Sequence, residues 1–236
     1  MKSIQADVLP RIEEALRAAA EVLNSFANNV VNVQFKKGDD PVTEADTKAD
    51  QVLRKLLLRD DEGWLSEETA DTLERLNKRD VWVVDPLDGT REFVAGIPEW
   101  AVSVGFVRDG LPLAGGVCNP QTGEMFLGST ETGVFYNNRP AAVRDMTSLD
   151  GAVVLASRSE FKSGQWAKYG GGPFKVRAVG SVAYKLAPVA AGLADATWTL
   201  VPKHEWDVAA GVALVLSGGG ARTLGFHLSS SNSVQE

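Results

Sequence analysis

Apolar residues recur at helical spacing at Val8, Ile12, Ala15, Leu16, Ala19, Val22, Leu23 and Phe26, which predicts an amphipathic helix from Val8 to Phe26. The polar stretch KKGDDP follows. A second helix is predicted from Thr43 to about Leu58, with Ala45, Ala49, Val52, Leu53 and Leu56 on one face. The pattern then turns to β, with strands predicted at Val81–Val84, Trp100–Val107, Leu113–Cys118, Glu124–Leu127 and Gly133–Tyr136. Short turns such as RDG and NPQTG join several of them and suggest an antiparallel meander. Beyond a soft boundary near Leu149, strands at Ala152–Ala156, Phe174–Val179 and Ala196–Leu200 alternate with helices near Ser181–Gly192 and Trp206–Ser217. Two regions are expected, residues 1–149 as an α+β domain and 150–236 as a smaller α/β domain. The serine-rich end SSSNSVQE reads as a disordered tail from about residue 229.

Composition narrows the partners. With 236 residues, 44% of them hydrophobic, the chain can bury a substantial core. A net charge of -7 argues against a nucleic-acid polymer, but a small anion can bind where a metal or a basic patch reverses the field. The single cysteine, Cys118, excludes an intrachain disulfide and reads most simply as a small residue in an apolar strand. The N-terminal MKSIQADVLPRIEE lacks the apolar core of a signal peptide. No uninterrupted apolar run reaches the roughly 18 residues of a membrane span. A cytoplasmic protein without membrane contact is expected.

Against this background the stretch VWVVDPLDGTREF (81–93) stands out. A stiff apolar strand runs into a turn in which Pro86 fixes one φ angle and Gly89 relaxes another. An ordinary strand ending would explain most of it. It does not explain Asp85 beside buried surface with Asp88 three residues on, because two carboxylates forced together repel unless a cation or a shared proton lies between them. The other acids are weaker singly. Asp46 in PVTEAD, after the good N-cap Thr43, completes something close to a capping box. Glu67 and Glu68 in WLSEET read as a solvated turn or helix start, and Asp207 in HEWDVAAG suits a helix N-terminus. Together these acids supply the oxygen ligands that a hard divalent cation such as Mg²⁺ needs. Two such ions about 3.5–4 Å apart can polarise a phosphate and activate a water. There is no HExxH motif, no Cys/His cluster and no P-loop, and only two histidines, His204 and His227, so zinc and nucleotide-cradle chemistry are disfavoured. YGGGP and SGGGA read as turns, and no GxSxG elbow supports a Ser-His-Asp triad.

The ordered set PVTEAD (41–46), SEE (66–68), DPLDGTREF (85–93), GSVAYK (180–185) and EWDVAAG (205–211) resembles the inositol monophosphatase superfamily, from about residue 7 to 220. The resemblance implies the layered αβαβα sandwich of the sugar-phosphatase type: an α+β fold with an antiparallel N-terminal sheet followed by a smaller α/β half. It also implies a Mg²⁺-dependent, commonly lithium-sensitive phosphomonoesterase using two or three ions. On this resemblance Glu67, Asp85, the Leu87 carbonyl, Asp88 and Asp207 match the metal ligands, most of them in the first domain, with the second completing the site. Thr90 with Glu67 matches the pair that activates the attacking water, and Asp46 the aspartate supporting that water. Gly89 and Thr90 would offer backbone N–H groups to the phosphate, and Asp88 and Asp207 would stand beside the substrate. Gly180 and Ser181 would lie against its non-phosphate part. A small phosphorylated substrate is implied, and a homodimer is open.

The substrate is balanced between an inositol monophosphate and a nucleoside bisphosphate such as 3'-phosphoadenosine 5'-phosphate. Arg91-Glu92-Phe93 in place of the more usual Thr-Asn-Phe ending, Ser66 where inositol monophosphatases usually have Gly, and Tyr184-Lys185 lean toward bisphosphate nucleotidases. Lys185 or Arg158 can be read as meeting a second phosphate, or as plain surface cations. Fructose-1,6-bisphosphatase activity and a catalytically silent module binding metal or phosphate are the alternatives; the retained acids argue against the second. Two departures carry expectations. Pro188 should kink or shorten its helix. ARTLGFHL leads straight to the tail where relatives continue, so the second sheet should lack an edge if the natural chain ends here, the alternative being a shortened chain.

Overall fold

The structure, a computed structural model, describes residues 4–27, 33–35 and 41–220. The expected tail, ARTLGFHL with His227, and all of KKGDDP except Pro41 lie outside the described residues. Helix α1 (Leu9–Ala27), entered through a wider helical turn at Ile4–Val8, follows the apolar spacing. Strands β1 (Val33–Phe35) and β2 (Pro41–Thr43) pair antiparallel, and helix α2 spans Glu44–Leu57. Seven strands then hydrogen-bond in chain order: β3 (Gly63–Ser66), β4 (Asp80–Asp88), β5 (Ala101–Arg108), β6 (Leu111–Asn119), β7 (Glu124–Ser129), β8 (Gly133–Tyr136) and β9 (Arg139–Ala141). From β4 to β9 the pairing is the antiparallel meander that the turns suggested, while β3 adds a parallel edge beside β4. The short helix α3 (Thr90–Val94) lies between β4 and β5. A three-stranded parallel sheet of β10 (Val153–Ser157), β11 (Lys175–Val179) and β12 (Ala196–Thr197) follows, with β10 in the middle. The remaining helices are α4 (Arg158–Lys162), α5 (Ala183–Ala190) and α6 (Glu205–Ser217).

The layers follow from the alternation of side chains along the strands. Trp82 and Val84 of β4 join α1 and α2 in one buried cluster, whereas Val81 and Val83 meet Ala209 of α6 in another. On β5, Val102, Val104 and Phe106 face the first helix pair, while Ala101 joins α5 and α6. The far side of α5 presents Val189 and Tyr184 to Leu155 and Val179 of the small sheet. The opposite face of that sheet, Val154 and Ala156, is covered by Trp166 with Tyr169, Phe174 and Trp198. Helix pair, sheet, helix pair, sheet and outer helical layer make the αβαβα sandwich. Helix α5 covers 183–190 rather than the expected 181–192, with Pro188 inside it and no N–H to give to the preceding turn.

Two details of packing aim the acids. Strand β4 does not stop at Val84; it pairs through Asp85↔Ser103 and resumes at Asp88↔Ala101, so three steps on β4 oppose two on β5. That bulge sits where Pro86 has no N–H to give, and its extra residue turns Asp85 and Asp88 to a common side. Helix α6 lies close on the sheet because Gly115 leaves room: a Cβ there would stand 2.5 Å from the Ala210 carbonyl oxygen and 3.0 Å from its Cα. Gly115→Ala is therefore expected to cost about 2–3 kcal/mol by overpacking, read as a lower urea midpoint. An unchanged midpoint would mean that α6, and Asp207 with it, can retreat freely.

Candidate active site

Asp85 is 1% exposed and Asp88 7%, and both stand at the bulged end of β4. Asp207 reaches them from the first turn of α6, where its Oδ2 accepts the His204 N–H at 2.8 Å. One carboxylate oxygen from each of the three lies within 4.8 Å of the others. The capping role and the clustered role read for Asp207 thus occur in one residue.

Such crowding is electrostatically unfavourable. Burial raises the Asp85 pKa well above the usual carboxylate range, and Asp88, Glu67, Asp46 and Asp207 raise it further. Burial, then Asp88, also raises that of Asp207. Asp85 therefore keeps its proton to higher pH when folded than in the unfolded chain, where a carboxyl titrates near ~3.9. The stability it contributes is fully present below that pH and is lost as pH rises through the raised folded value. In EDTA, the melting temperature of the wild type is expected to fall relative to that of Asp85→Asn as pH rises above the unfolded value of ~3.9. Equal pH profiles for the two proteins would contradict that assignment.

The surrounding groups fix these acids. Leu87 N–H donates to Asp85 Oδ1 at 3.1 Å, and Thr90 Oγ1 donates to the Leu87 carbonyl at 3.1 Å. Asp88 Oδ2 accepts from Ser181 Oγ and from Ala183 N–H, each at 2.6 Å, which ties the start of α5 to the end of β4. Ser181 sits at φ 56°, a left-handed conformation held by that bond and by the Tyr184 N–H donating to its Oγ at 2.9 Å. Gly180 donates its N–H to Glu99 at 2.8 Å, and a Cβ on it would stand 2.5 Å from Glu92 Cγ. Glu67 is exposed on the bend after β3, its N–H 3.4 Å from the Val84 carbonyl, and Asp46 is buried in the first turn of α2.

Asp46, Glu67, Asp85, Leu87, Asp88, Gly89, Thr90, Gly180, Ser181 and Asp207, the residues singled out in the sequence, all line one cavity of about 500 Å³. Lys185 and Arg158 line it too, so neither is a plain surface cation. Lys185 is 3% exposed, donates to the Ser181 carbonyl and has its pKa lowered by burial to about 8. Arg158 is held by Glu99 through bonds of 2.8 and 2.6 Å. Sequence reasoning missed Lys203, Ser157 and Ser159, which line the same cavity from a loop, the end of β10 and the first turn of α4, with no periodic pattern to mark them. His204 stacks on Trp206 with ring centroids 4.5 Å apart. Cys118 is a buried strand residue whose thiol is pushed up by burial to about 11.

The donor set suits a hard cation. All three clustered ligand atoms are carboxylate oxygens, and their burial and mutual repulsion are relieved by a divalent ion. Among the described residues no helix is long and apolar enough to cross a membrane.

Comparison with known proteins places this geometry. A family model described as the inositol monophosphatase family matches residues 5–226. Over 222 residues the chain is 34% identical to the inositol-1-monophosphatase of Rhizobium meliloti (strain 1021), covering 90% of this chain and 83% of that protein. It is 37% identical over 228 residues to the inositol-1-monophosphatase of Caulobacter vibrioides, covering 89% and 86%. The crystal structure of the extragenic suppressor protein suhB from Bartonella henselae matches with a TM-score of 0.80 at 29% identity, covering 91% of this chain and 86% of that one.

Proposed function

Because the chain belongs to the inositol monophosphatase family, a family of metal-dependent phosphoric monoester hydrolases, we propose that it is a Mg²⁺-dependent phosphomonoesterase acting on a small phosphorylated metabolite. The convergence of Asp85, Asp88 and Asp207 oxygens within 4.8 Å carries this reading. Glu67, Asp85, the Leu87 carbonyl, Asp88 and Asp207 are the ligands proposed for two or three Mg²⁺. Bound there, Mg²⁺ supplies Lewis acidity to the phosphoryl oxygens and lowers the pKa of the attacking water.

The protein's own groups do the rest. Thr90 spends its hydroxyl hydrogen on the Leu87 carbonyl, so its oxygen lone pairs are left to accept a hydrogen bond from the water and orient it. Glu67, exposed at the cavity edge, is the general base that takes the water's proton on its carboxylate, with Asp46 supporting the water from α2. The N–H groups of Gly89 and Thr90, at the start of α3, would serve a phosphate oxygen as hydrogen-bond donors without covalent chemistry. Gly89 is at φ 95° and its Cβ would stand 3.1 Å from the Glu99 carbonyl, which supports a glycine at that turn. Asp88 and Asp207 border the leaving side. Gly180 and Ser181, held by Glu99 and Asp88, form the wall for the rest of the substrate.

The names of the relatives favour inositol 1-phosphate as the substrate. Lys185, Arg158 and Lys203 on the cavity wall favour a second reading, a nucleoside 3',5'-bisphosphate, whose extra phosphate they would neutralise. Phosphate release from inositol 1-phosphate and from 3'-phosphoadenosine 5'-phosphate, with Mg²⁺ and with EDTA, separates the two. Release from neither by folded protein would overturn both. The same reading takes the protein as cytoplasmic and leaves a homodimer open, which sedimentation of the purified chain decides.

A further inference from the structure

We infer that Asp50 is a positioning residue for Glu67: its carboxylate clamps the bend 66–69 and so fixes where the Glu67 carboxyl stands. The inference rests on the functional reading given above. Asp50 lies on α2 one turn beyond Asp46 and is 7% exposed. Its Oδ1 accepts from Ser66 Oγ at 2.6 Å and its Oδ2 from Thr69 Oγ1 at 2.8 Å. Ser66 Oγ in turn accepts the Glu68 N–H at 3.3 Å. One carboxylate thus grips both ends of the four residues that contain Glu67.

The alternative, that Asp50 serves stability alone, fits less well. Burying a carboxylate is costly unless it is fully bonded. Among the described residues its side chain has no partners other than these two hydroxyls. It also stands four residues after Asp46 on the same helix face, a like-charge spacing that weakens a helix. An apolar residue would pack there without either penalty. What the carboxylate adds is two short, charge-assisted O–H···O⁻ bonds, one to the last residue of β3 and one to the end of the bend 67–69. The main-chain bond at Glu67 is a long one, its N–H standing 3.4 Å from the Val84 carbonyl. The Ser66 hydroxyl gives the departure noted in the sequence a physical role, because a glycine at that position offers Asp50 nothing to hold.

The test measures Mg²⁺ dependence in the full chain. Groups that orient a metal ligand typically change metal affinity or activity by about 10- to 100-fold when removed. Asp50→Ala is expected to raise the Mg²⁺ concentration for half-maximal phosphate release at least about tenfold. The Mg²⁺-induced rise in melting temperature should need correspondingly more metal. The substrate KM at saturating Mg²⁺ and the metal-free melting temperature should stay near the wild-type values. Asp50→Asn, which keeps an acceptor for one hydroxyl, should fall between. Should Asp50→Ala fold poorly, Ser66→Ala with Thr69→Val removes the same grip without touching α2 and should give the same shift. Unchanged Mg²⁺ dependence in the folded variants, with or without a lower melting temperature, overturns the inference alone. A wild-type chain with no Mg²⁺ response at all overturns it together with the reading it rests on.

Discussion

Asp88→Asn is expected to lower kcat by about a thousandfold, ~4 kcal/mol of barrier, with little change in the metal-free melting temperature. Both bonds that Asp88 accepts, from Ser181 Oγ and Ala183 N–H, fall on Oδ2. An asparagine carbonyl can keep them and thus keep the start of α5 in place. The remaining oxygen is replaced by an NH₂ group, which donates hydrogens and cannot ligate a cation. The substitution also removes a charge that raises the pKa of both Asp85 and Asp207, so the metal-free protein loses repulsion rather than a bond. Stability and turnover should therefore separate. A large drop in melting temperature would assign Asp88 to the fold instead.

Glu67→Gln should cost about 10²- to 10⁴-fold in kcat, the range for losing a positioned general base. Glu67 is exposed, where substitutions usually change stability by less than about 0.5 kcal/mol, and a change of that size is expected. Its influence reaches Asp85 through space, since it is among the charges that raise the Asp85 pKa. The variant should hence titrate Asp85 at a lower pH as well as turn over slowly. Wild-type turnover in this variant would remove Glu67 from the mechanism and leave the three clustered aspartates in it.

Where local pattern decides structure, the sequence was readable. The period of α1 is set by Ile12, Leu16, Ala19 and Leu23 facing one cluster, and that spacing is visible without coordinates. The meander from β4 to β8 is likewise carried by alternating apolar residues and Gly-containing turns. Elements that depend on distant partners were not readable. The four residues of β3, GWLS, become a strand only because they pair in parallel with Val81–Val84. The exposed β9 carries a proline and an arginine and is defined by β8 alone. Strand β4 outran its predicted end because the bulge opposite β5 absorbs Pro86, a device that Pro-Leu-Asp-Gly disguises as a plain turn.

The same divide runs through the site. Asp85 and Asp88 could be singled out because an acid pair at a strand end conflicts with burial. Asp46 and Glu67 had sound local explanations, and only the family resemblance joined them to the others. Lys203 and the Glu99 clamp on Arg158 and Gly180 arise from the way the two sheets come together, which no local pattern encodes. The same holds for Asp50, whose two hydroxyl partners lie 16 and 19 residues away.

The claim on which everything else depends is that the clustered aspartates hold a divalent cation. Calorimetric titration of Mg²⁺ into metal-free wild type and into Asp85→Asn/Asp88→Asn tests it without any substrate. The account predicts binding to the wild type accompanied by proton release, since raised carboxyls must ionise to ligate, and no binding to the folded double variant. Equal binding by both proteins, or none by folded wild type, would contradict it.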